Sequence, residues 1–338
     1  MKKKTICAAL CIFMLFLALP LFSCEDIEED GGGRDKNRVF YEYFDTVSVI
    51  YDYSGSSEED FSNLCDEIEA RLSKYHRLFD IYNEYDGINN LATLNKNAGG
   101  EALPVEPEII ELLLFSLDMH EKTGGAVNVA MGSVLSLWHG LREEGKRIPT
   151  DEELSLAGEH ISIENVEIDT EKSTVRISDP EASLDVGAVA KGYAAEKIAE
   201  FLKSRGLSGY AISLGGNLRA VGTKPDGSGW SSGITNPSGG YVRTLEISDS
   251  SLVTSGNYER YYTVGGVRYH HIIDPETLMP KNDYVSLSVH TENSAVADAL
   301  STALFNMSTD KIKDVLKKFS DTEITILTSD GEIIIIED

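Results

Sequence analysis

Between Leu184 and Asn217 the chain reads LDVGAVAKGYAAEKIAEFLKSRGLSGYAISLGGN, and four of its features could serve one chemistry. Asp185 closes an apolar stretch that reads as a strand. Gly187 and Ala188 form a turn without bulky side chains, and Lys191 follows at the start of an amphipathic helix. After Gly206 a second strand ends on Gly215, Gly216 and Asn217. Small residues let backbone N–H groups approach a phosphate, and a helix start adds partial positive charge. A carboxylate and a lysine at such a turn suit a phosphorylated ligand, although Gly-rich turns also occur purely for packing.

Three further clusters could carry chemistry. In Ala297-Asp298-Ala299-Leu300-Ser301-Thr302, helical spacing places Asp298 and Thr302 one turn apart on the same face. A carboxylate and a hydroxyl so placed can reach a hard cation such as Mg²⁺. The same pair also fits a helix-start Asp with a Thr bonded to its own backbone. In the second cluster, His270 and His271 alternate on a strand and so face opposite ways, which argues against a shared metal. One of them with Asp274 could orient an acid or base. The third, Gly125 to Trp138, sets small residues beside an aromatic and could frame a flat ring or form a buried loop. There is no Gly-x-Ser-x-Gly elbow, His-Glu-x-x-His or Walker loop, so a serine hydrolase, a zincin or a P-loop enzyme has no support.

The elements that must hold these residues read as follows. Residues 40–53 alternate like a strand, and Ser57 caps a helix through Phe61, Leu64, Ile68, Leu72 and Tyr75. Residues 86–100 read as loop, Pro107 opens a helix to about Lys122, and 141–160 is a polar helical excursion. Strands are expected over 161–179 (two runs), 210–222, 241–248, 252–254, 260–274 and 284–290. Asn293 or Ser294 opens a helix to about Met307, Thr309 caps a shorter one, and residues 323–328 and 332–336 close as a hairpin at Ser329-Asp330-Gly331. Helices mixed with mainly antiparallel strands make an α+β fold.

Lys2, Lys3 and Lys4 precede an apolar run and Leu21-Phe22-Ser23-Cys24, so residues 1–23 are predicted to be a signal peptide. The cysteine after Leu-x-Ser matches a bacterial lipobox, which places a lipid on Cys24. Residues 24–37 form an acidic, Gly-containing tether, and 38–338 the functional domain, exported and held at a membrane. With 56 acidic against 30 basic residues the net charge is −26, and loss of the leader makes it −29. Such a surface disfavours nucleic acid and favours a divalent metal wherever phosphate must bind. Cys65, the other cysteine beyond the leader, is expected to be buried in a helix.

Taken in order, Phe44-Asp45-Thr46, Tyr82, GGAVNVAMGSVLSLWH, SLDVGAVAKGYAAEKIA, ISLGGN, SGNYERYY, YHHIIDPETLMP and ADALSTALF closely resemble the ApbE family over roughly residues 38–336. The resemblance implies an ApbE-like (T-fold-like), two-lobed α+β architecture with the ligand between the lobes. It implies an enzyme that binds FAD, cleaves its pyrophosphate with Mg²⁺, releases AMP and joins FMN to a threonine of a membrane redox protein. The implied metal ligands are the Ala188 carbonyl and the side chains of Asp298 and Thr302. The implied FAD contacts are Phe44, Tyr82, Ala126, Val127, Asn128, Asp185, Lys191, His271 and Ile272, with His271 the leading general base and Asp298 behind it. Implied acceptors are subunits of a sodium-pumping NADH:quinone reductase or an Rnf-type complex. Two departures stand out. Val127-Asn128 replaces an aromatic–acid pair, and Leu278 replaces a glycine, so the turn at Leu278 is expected to be altered. Two other outcomes use the same pocket: an FAD pyrophosphatase releasing FMN and AMP, and a lipoprotein that only stores FAD.

Overall fold

Two strands stand where the sequence predicts one. In the computed structural model, which describes residues 36–337, β1 (Lys36–Phe40) pairs antiparallel with β2 (Ser48–Asp52). The chain reverses between them with Phe44 and Asp45 at φ of 56° and 50°, a left-handed conformation uncommon outside glycine. The predicted leader, Cys24 and most of the tether lie outside the described residues.

Helix α1 (Glu58–Phe79) begins as expected. The Ser57 hydroxyl accepts from the Asp60 N–H, and Phe61, Leu64, Cys65, Ile68 and Leu72 form its buried stripe. The 86–100 stretch is not all loop: α2 (Leu91–Lys96) is capped by Asn90, whose side chain accepts from the Thr93 N–H. Six residues are too few for periodicity to reveal a helix. Short strand β3 (Leu103–Pro104) precedes α3 (Pro107–Lys122), which ends before Gly124 and Gly125 at φ of 65° and 93°. The segment framed as a loop between Gly125 and Trp138 becomes helix α4 (Gly132–Glu144), ended by left-handed Gly145. A Thr150–Glu153 capping box starts α5 (Asp151–Gly158), so the polar excursion is helical in part.

Next come β4 (Val166–Asp169), β5 (Thr174–Ile177), α6 (Ala190–Ser204), β6 (Tyr210–Leu214), β7 (Asn217–Val221), β8 (Trp230–Thr235) and β9 (Tyr241–Ile247). They are followed by β10 (Ser251–Gly256), β11 (Tyr261–Val264), β12 (Val267–His270), β13 (Tyr284–Thr291), α7 (Ser294–Ala303), α8 (Thr309–Leu316), β14 (Glu323–Thr328) and β15 (Ile333–Glu337). No strand runs into Asp185; a single parallel bridge joins Ser183 to Met131. Ser308, not Thr309, caps α8.

Eight strands form one antiparallel sheet in the order β1-β2-β6-β7-β10-β13-β14-β15. Smaller sheets are β3-β5-β4, β8-β9 and β11-β12. The fold is therefore α+β. The largest core joins α2, α3, α7 and α8 to β13 and β14, and a second joins α1 and α6 to β2 and β6. A satellite core gathers Met131, Val134, Trp138, Leu154, Tyr262 and Ile273, so α4, α5 and the β11–β12 hairpin form a cap of their own. Trp138 stacks on Tyr269, with ring centroids 5.9 Å apart. Among the described residues no helix is long and apolar enough to cross a membrane.

Candidate active site

The closest approach of two elements in the site is made by α6 and α7. A Cβ on Gly192 would fall 2.4 Å from both the Asp298 Cβ and the Ser294 carbonyl oxygen, so only glycine lets the helices touch here. With that space open, the Gly192 N–H donates to Asp298 Oδ2 at 2.7 Å. In a regular helix that N–H would serve the carbonyl four residues back, which is Ala188. Diverted to Asp298, it leaves the Ala188 carbonyl without a hydrogen bond from a described residue.

The two helices are pinned from behind. Glu196 of α6 accepts from Arg219 Nε at 2.9 Å and from Nη2 at 3.2 Å, both side chains being buried. Glu196 Oε2 also takes the Ser294 N–H at 2.7 Å, while the Asn293 side chain caps α7 through the Ala295 and Val296 N–H groups. One carboxylate thus ties α6, β7 and the start of α7 together, and α7 cannot move away without losing the Ser294 N–H bond to it.

Asp298 is 4% exposed. Burial raises its pKa, opposed by the Lys191 charge, the Gly192 N–H and the Asn217 amide. Asn217 Nδ2 is buried and has no hydrogen bond of good geometry, yet it is close enough to favour the carboxylate. It follows the Gly215-Gly216 turn, where both residues hold positive φ, as a two-residue hairpin requires. One turn beyond Asp298, the Thr302 hydroxyl has only a 3.5 Å contact with Ser255 Oγ, which bonds Ser301 Oγ at 2.9 Å. An uncommitted carboxylate oxygen, a loosely held hydroxyl and a free carbonyl make an all-oxygen set of the kind a hard divalent cation takes. Among the described residues there is no group of three His, Cys, Asp or Glu side chains that could hold a metal ion.

A second group lies beyond Lys191, whose charge acts on both Asp298 and Asp185. Asp185 Oδ1 accepts the Gly187 N–H at 2.8 Å, fixing the turn before α6. Its protein surroundings raise its pKa, against the pull of Gly187, His139, Lys191 and Arg260. Tyr82 is 66% exposed, with its ring centroid 5.9 Å from that of His139. His271 N donates to the Arg260 carbonyl at 3.0 Å, and Nδ1 lies 3.3 Å from the same oxygen. That contact favours the proton on Nδ1 and leaves Nε2 as the acceptor. Burial, then the Arg260, His270 and Arg142 charges, hold His271 down at about 3, so it is neutral at neutral pH.

The expected residues therefore divide. Asp185, Ala188 and Lys191 lie at or just before the start of α6, which meets Asp298 of α7 through Gly192, with Thr302 one turn further along α7; Tyr82 neighbours His139, and His271 neighbours Arg260. Val127 is 1% exposed in the main core; its N–H bonds Thr123 and its carbonyl His120. Ile272 is likewise core. The Asn128 amide is spent inside the protein, on the Ile161 carbonyl and the Ala130 N–H. Ala126 packs half-buried against the main core. The Phe44 ring packs 5.8 Å from His76, and its N–H bonds His76 Nδ1. At Leu278 the turn closes with a left-handed φ of 58° and a 2.8 Å bond from its N–H to the Asp274 carbonyl. Leucine thus takes a conformation in which glycine would be unstrained. Sequence reasoning missed the supporting roles of Gly192, Asn217, Glu196 and Arg219. Gly192, Glu196 and Asn217 sat inside motifs already noticed, and the distant pairing of Glu196 with Arg219 left no local signal.

A carboxylate, a hydroxyl and a carbonyl near a lysine and a helix start are groups that could serve a phosphorylated ligand. The ApbE family model matches residues 45–326. A Treponema pallidum FAD:protein FMN transferase is 35% identical over 260 residues, 72% of each chain. A Vibrio cholerae FAD:protein FMN transferase is 30% identical, covering 76% of this chain and 75% of its own. The crystal structure of an ApbE protein from Thermotoga maritima superposes with a TM-score of 0.78 at 26% identity, over 89% of this chain and 96% of that one. The Vibrio cholerae flavin transferase ApbE gives 0.75, over 90% and 97%. The chain belongs to the ApbE family and is an enzyme of the transferase class.

Proposed function

We propose that this protein moves FMN from FAD onto a hydroxyl of a protein acceptor, a threonine, and releases AMP. The observation that carries this reading is the meeting of α6 and α7 at Gly192, whose N–H binds Asp298, in a chain whose relatives are named FAD:protein FMN transferases. In the reaction the acceptor oxygen bonds to the FMN-side phosphorus, the bridging P–O bond breaks, and AMP departs with the bridging oxygen. Lys191 offsets charge on the diphosphate, and Asp185 orients the nucleotide. His271 Nε2 takes the hydroxyl proton. Tyr82 offers an exposed ring face for stacking on the flavin.

The oxygen set fits Mg²⁺, which when bound offsets the charge that develops on the phosphate oxygens. Asp298, Thr302 and the Ala188 carbonyl would hold it. By family resemblance the acceptor is a membrane redox subunit of the sodium-pumping NADH:quinone reductase or Rnf type. A lipid on Cys24 would keep the exported enzyme at the same membrane.

Incubation of the intact protein with FAD, Mg²⁺ and a threonine-bearing acceptor peptide tests the reading by mass. FMN on the peptide with an equal amount of AMP supports it. Free FMN and AMP with an unmodified peptide makes the protein a pyrophosphatase, and bound, intact FAD makes it a carrier.

A further inference from the structure

Asp185 sits on a segment that belongs to no strand: Ser183 makes one isolated bridge, and residues 184–186 pair with nothing in a sheet. Main chain holds one flank of this segment. The Gly132 N–H donates to the Ser183 carbonyl at 3.0 Å, and the Asp185 N–H donates to the Val129 carbonyl at 2.8 Å. A single side chain holds the other flank. The Leu184 N–H donates to Asn95 Oδ1 at 2.7 Å, and Asn95 Nδ2 donates to the Leu184 carbonyl at 2.9 Å. Among the described residues neither Leu184 group has another hydrogen-bond partner. A primary amide carries both an acceptor and a donor, so it can stand in for a neighbouring strand. Leu184 is buried, so loss of that amide leaves a donor and an acceptor unpaired.

Asn95 lies near the end of α2, and the start of α2 grips the turn that presents Tyr82. Asn90, the buried cap of α2, sends Nδ2 to the Asn83 carbonyl at 2.7 Å and to the Arg77 carbonyl at 2.9 Å. The Asp80 carboxylate takes the Tyr82 N–H at 2.7 Å, the Asn83 N–H at 3.0 Å and the Tyr85 hydroxyl at 2.9 Å. The Asp80 carbonyl accepts the Ala92 N–H at 2.9 Å, which ties this turn to α2 a second time. One short helix thus joins the Tyr82 turn to the Asp185 segment. Asp185 Oδ1 in turn accepts the Gly187 N–H at 2.8 Å, so a shift of Leu184 passes to the carboxylate and to the turn before α6.

We infer that Asn95 is a positioning residue that acts through Asp185, and that α2 is the brace fixing the Asp185 carboxylate relative to the turn carrying Tyr82. The inference rests on the proposed use of Tyr82 and Asp185 for FAD and deepens it. The spacing between ring and carboxylate is set by α2 and not by the sheet, and a ligand that uses both contacts must match it. Asn95 itself touches no ligand. Its hydrogen bonds decide where the Asp185 carboxylate stands before the ligand arrives.

The test is a double-mutant cycle on the full-length protein: wild type, Asn95→Ala, Asp185→Ala and the two together, each titrated with FAD by flavin fluorescence. Amide hydrogen exchange of wild type and Asn95→Ala is measured without ligand. Asn95→Ala is expected to lose about 10-fold in FAD affinity, and the double variant should bind no more weakly than Asp185→Ala alone. The Leu184 and Gly187 N–H groups should exchange faster in Asn95→Ala while the amides in the middle of α6 stay protected. If Asn95→Ala does not fold, Asn95→Ser, which keeps one hydrogen-bonding group, takes its place in every comparison. Losses that add in the double variant overturn the inference, because a purely structural Asn95 would act independently of Asp185. Wild-type FAD affinity in the folded Asn95 variant, or unchanged exchange at Gly187, overturns it as well. If wild type fails to bind FAD, the proposed function falls, and exchange at Gly187 alone still decides whether Asn95 fixes the Asp185 carboxylate.

Discussion

Asp298 Oδ2 is committed to the Gly192 N–H, and in the proposed function its other oxygen takes the metal. Asp298→Asn keeps an oxygen acceptor but loses the charge. It should melt close to wild type while FAD cleavage falls by on the order of 10²-fold or more; wild-type turnover in that variant would remove Asp298 from the site. His271 makes a pH prediction. It is held at about 3 in the folded chain against 6.5 when unperturbed. Between those values the unfolded chain binds a proton that the folded chain refuses, so this contribution is complete above pH 6.5 and is lost as pH falls toward 3. His270, lowered by burial, acts in the same direction. Urea midpoints should therefore drop between pH 7 and pH 5. His271→Asn should flatten that slope, and an unaltered slope would show that the proton uptake lies elsewhere.

At the scale of elements, what was legible depended on how much of a pattern each stretch contained. The α1 stripe from Phe61 to Leu72 and the one-turn spacing of Asp298 and Thr302 are local facts that the fold kept. Helix α4 was not legible because Gly132, Ser133 and Ser136 interrupt its apolar stripe, and its large residues face a small satellite core. The reversal at Phe44 and Asp45 was hidden because neither residue signals a left-handed backbone, and Leu278 hides another in the same way. Gly192 gives the sharpest element-scale prediction. Gly192→Ala places a methyl where there is no room, so the α6–α7 contact should open at a cost of about 1–3 kcal/mol, with metal-dependent activity falling as well. Unchanged stability by urea unfolding would contradict the contact distances.

For the whole molecule, the α+β class followed from the sequence because antiparallel strands and amphipathic helices each carry their own periodicity. Strand order did not, since neighbours in the sheet are set by packing between distant segments. The proposed anchor belongs at this scale too. Cys24→Ala should move the protein from the membrane fraction to the soluble one or block its maturation, and an unmodified mature N-terminus in the wild type would refute the lipid.

The sheet order also dictates a schedule. β13, β14 and β15 are joined by short connections and can pair soon after they are made. β2 must wait for β6, because Ser48 pairs with Leu214 across all of α1 to α6. Closing so long a loop is slow, and its entropy is repaid only when the partner strand arrives. During synthesis the β1–β2 hairpin therefore forms before β6 and docks late, its inward side chains uncovered in the interval. The edge of the main sheet stays unzipped until well over half of the polypeptide has been made.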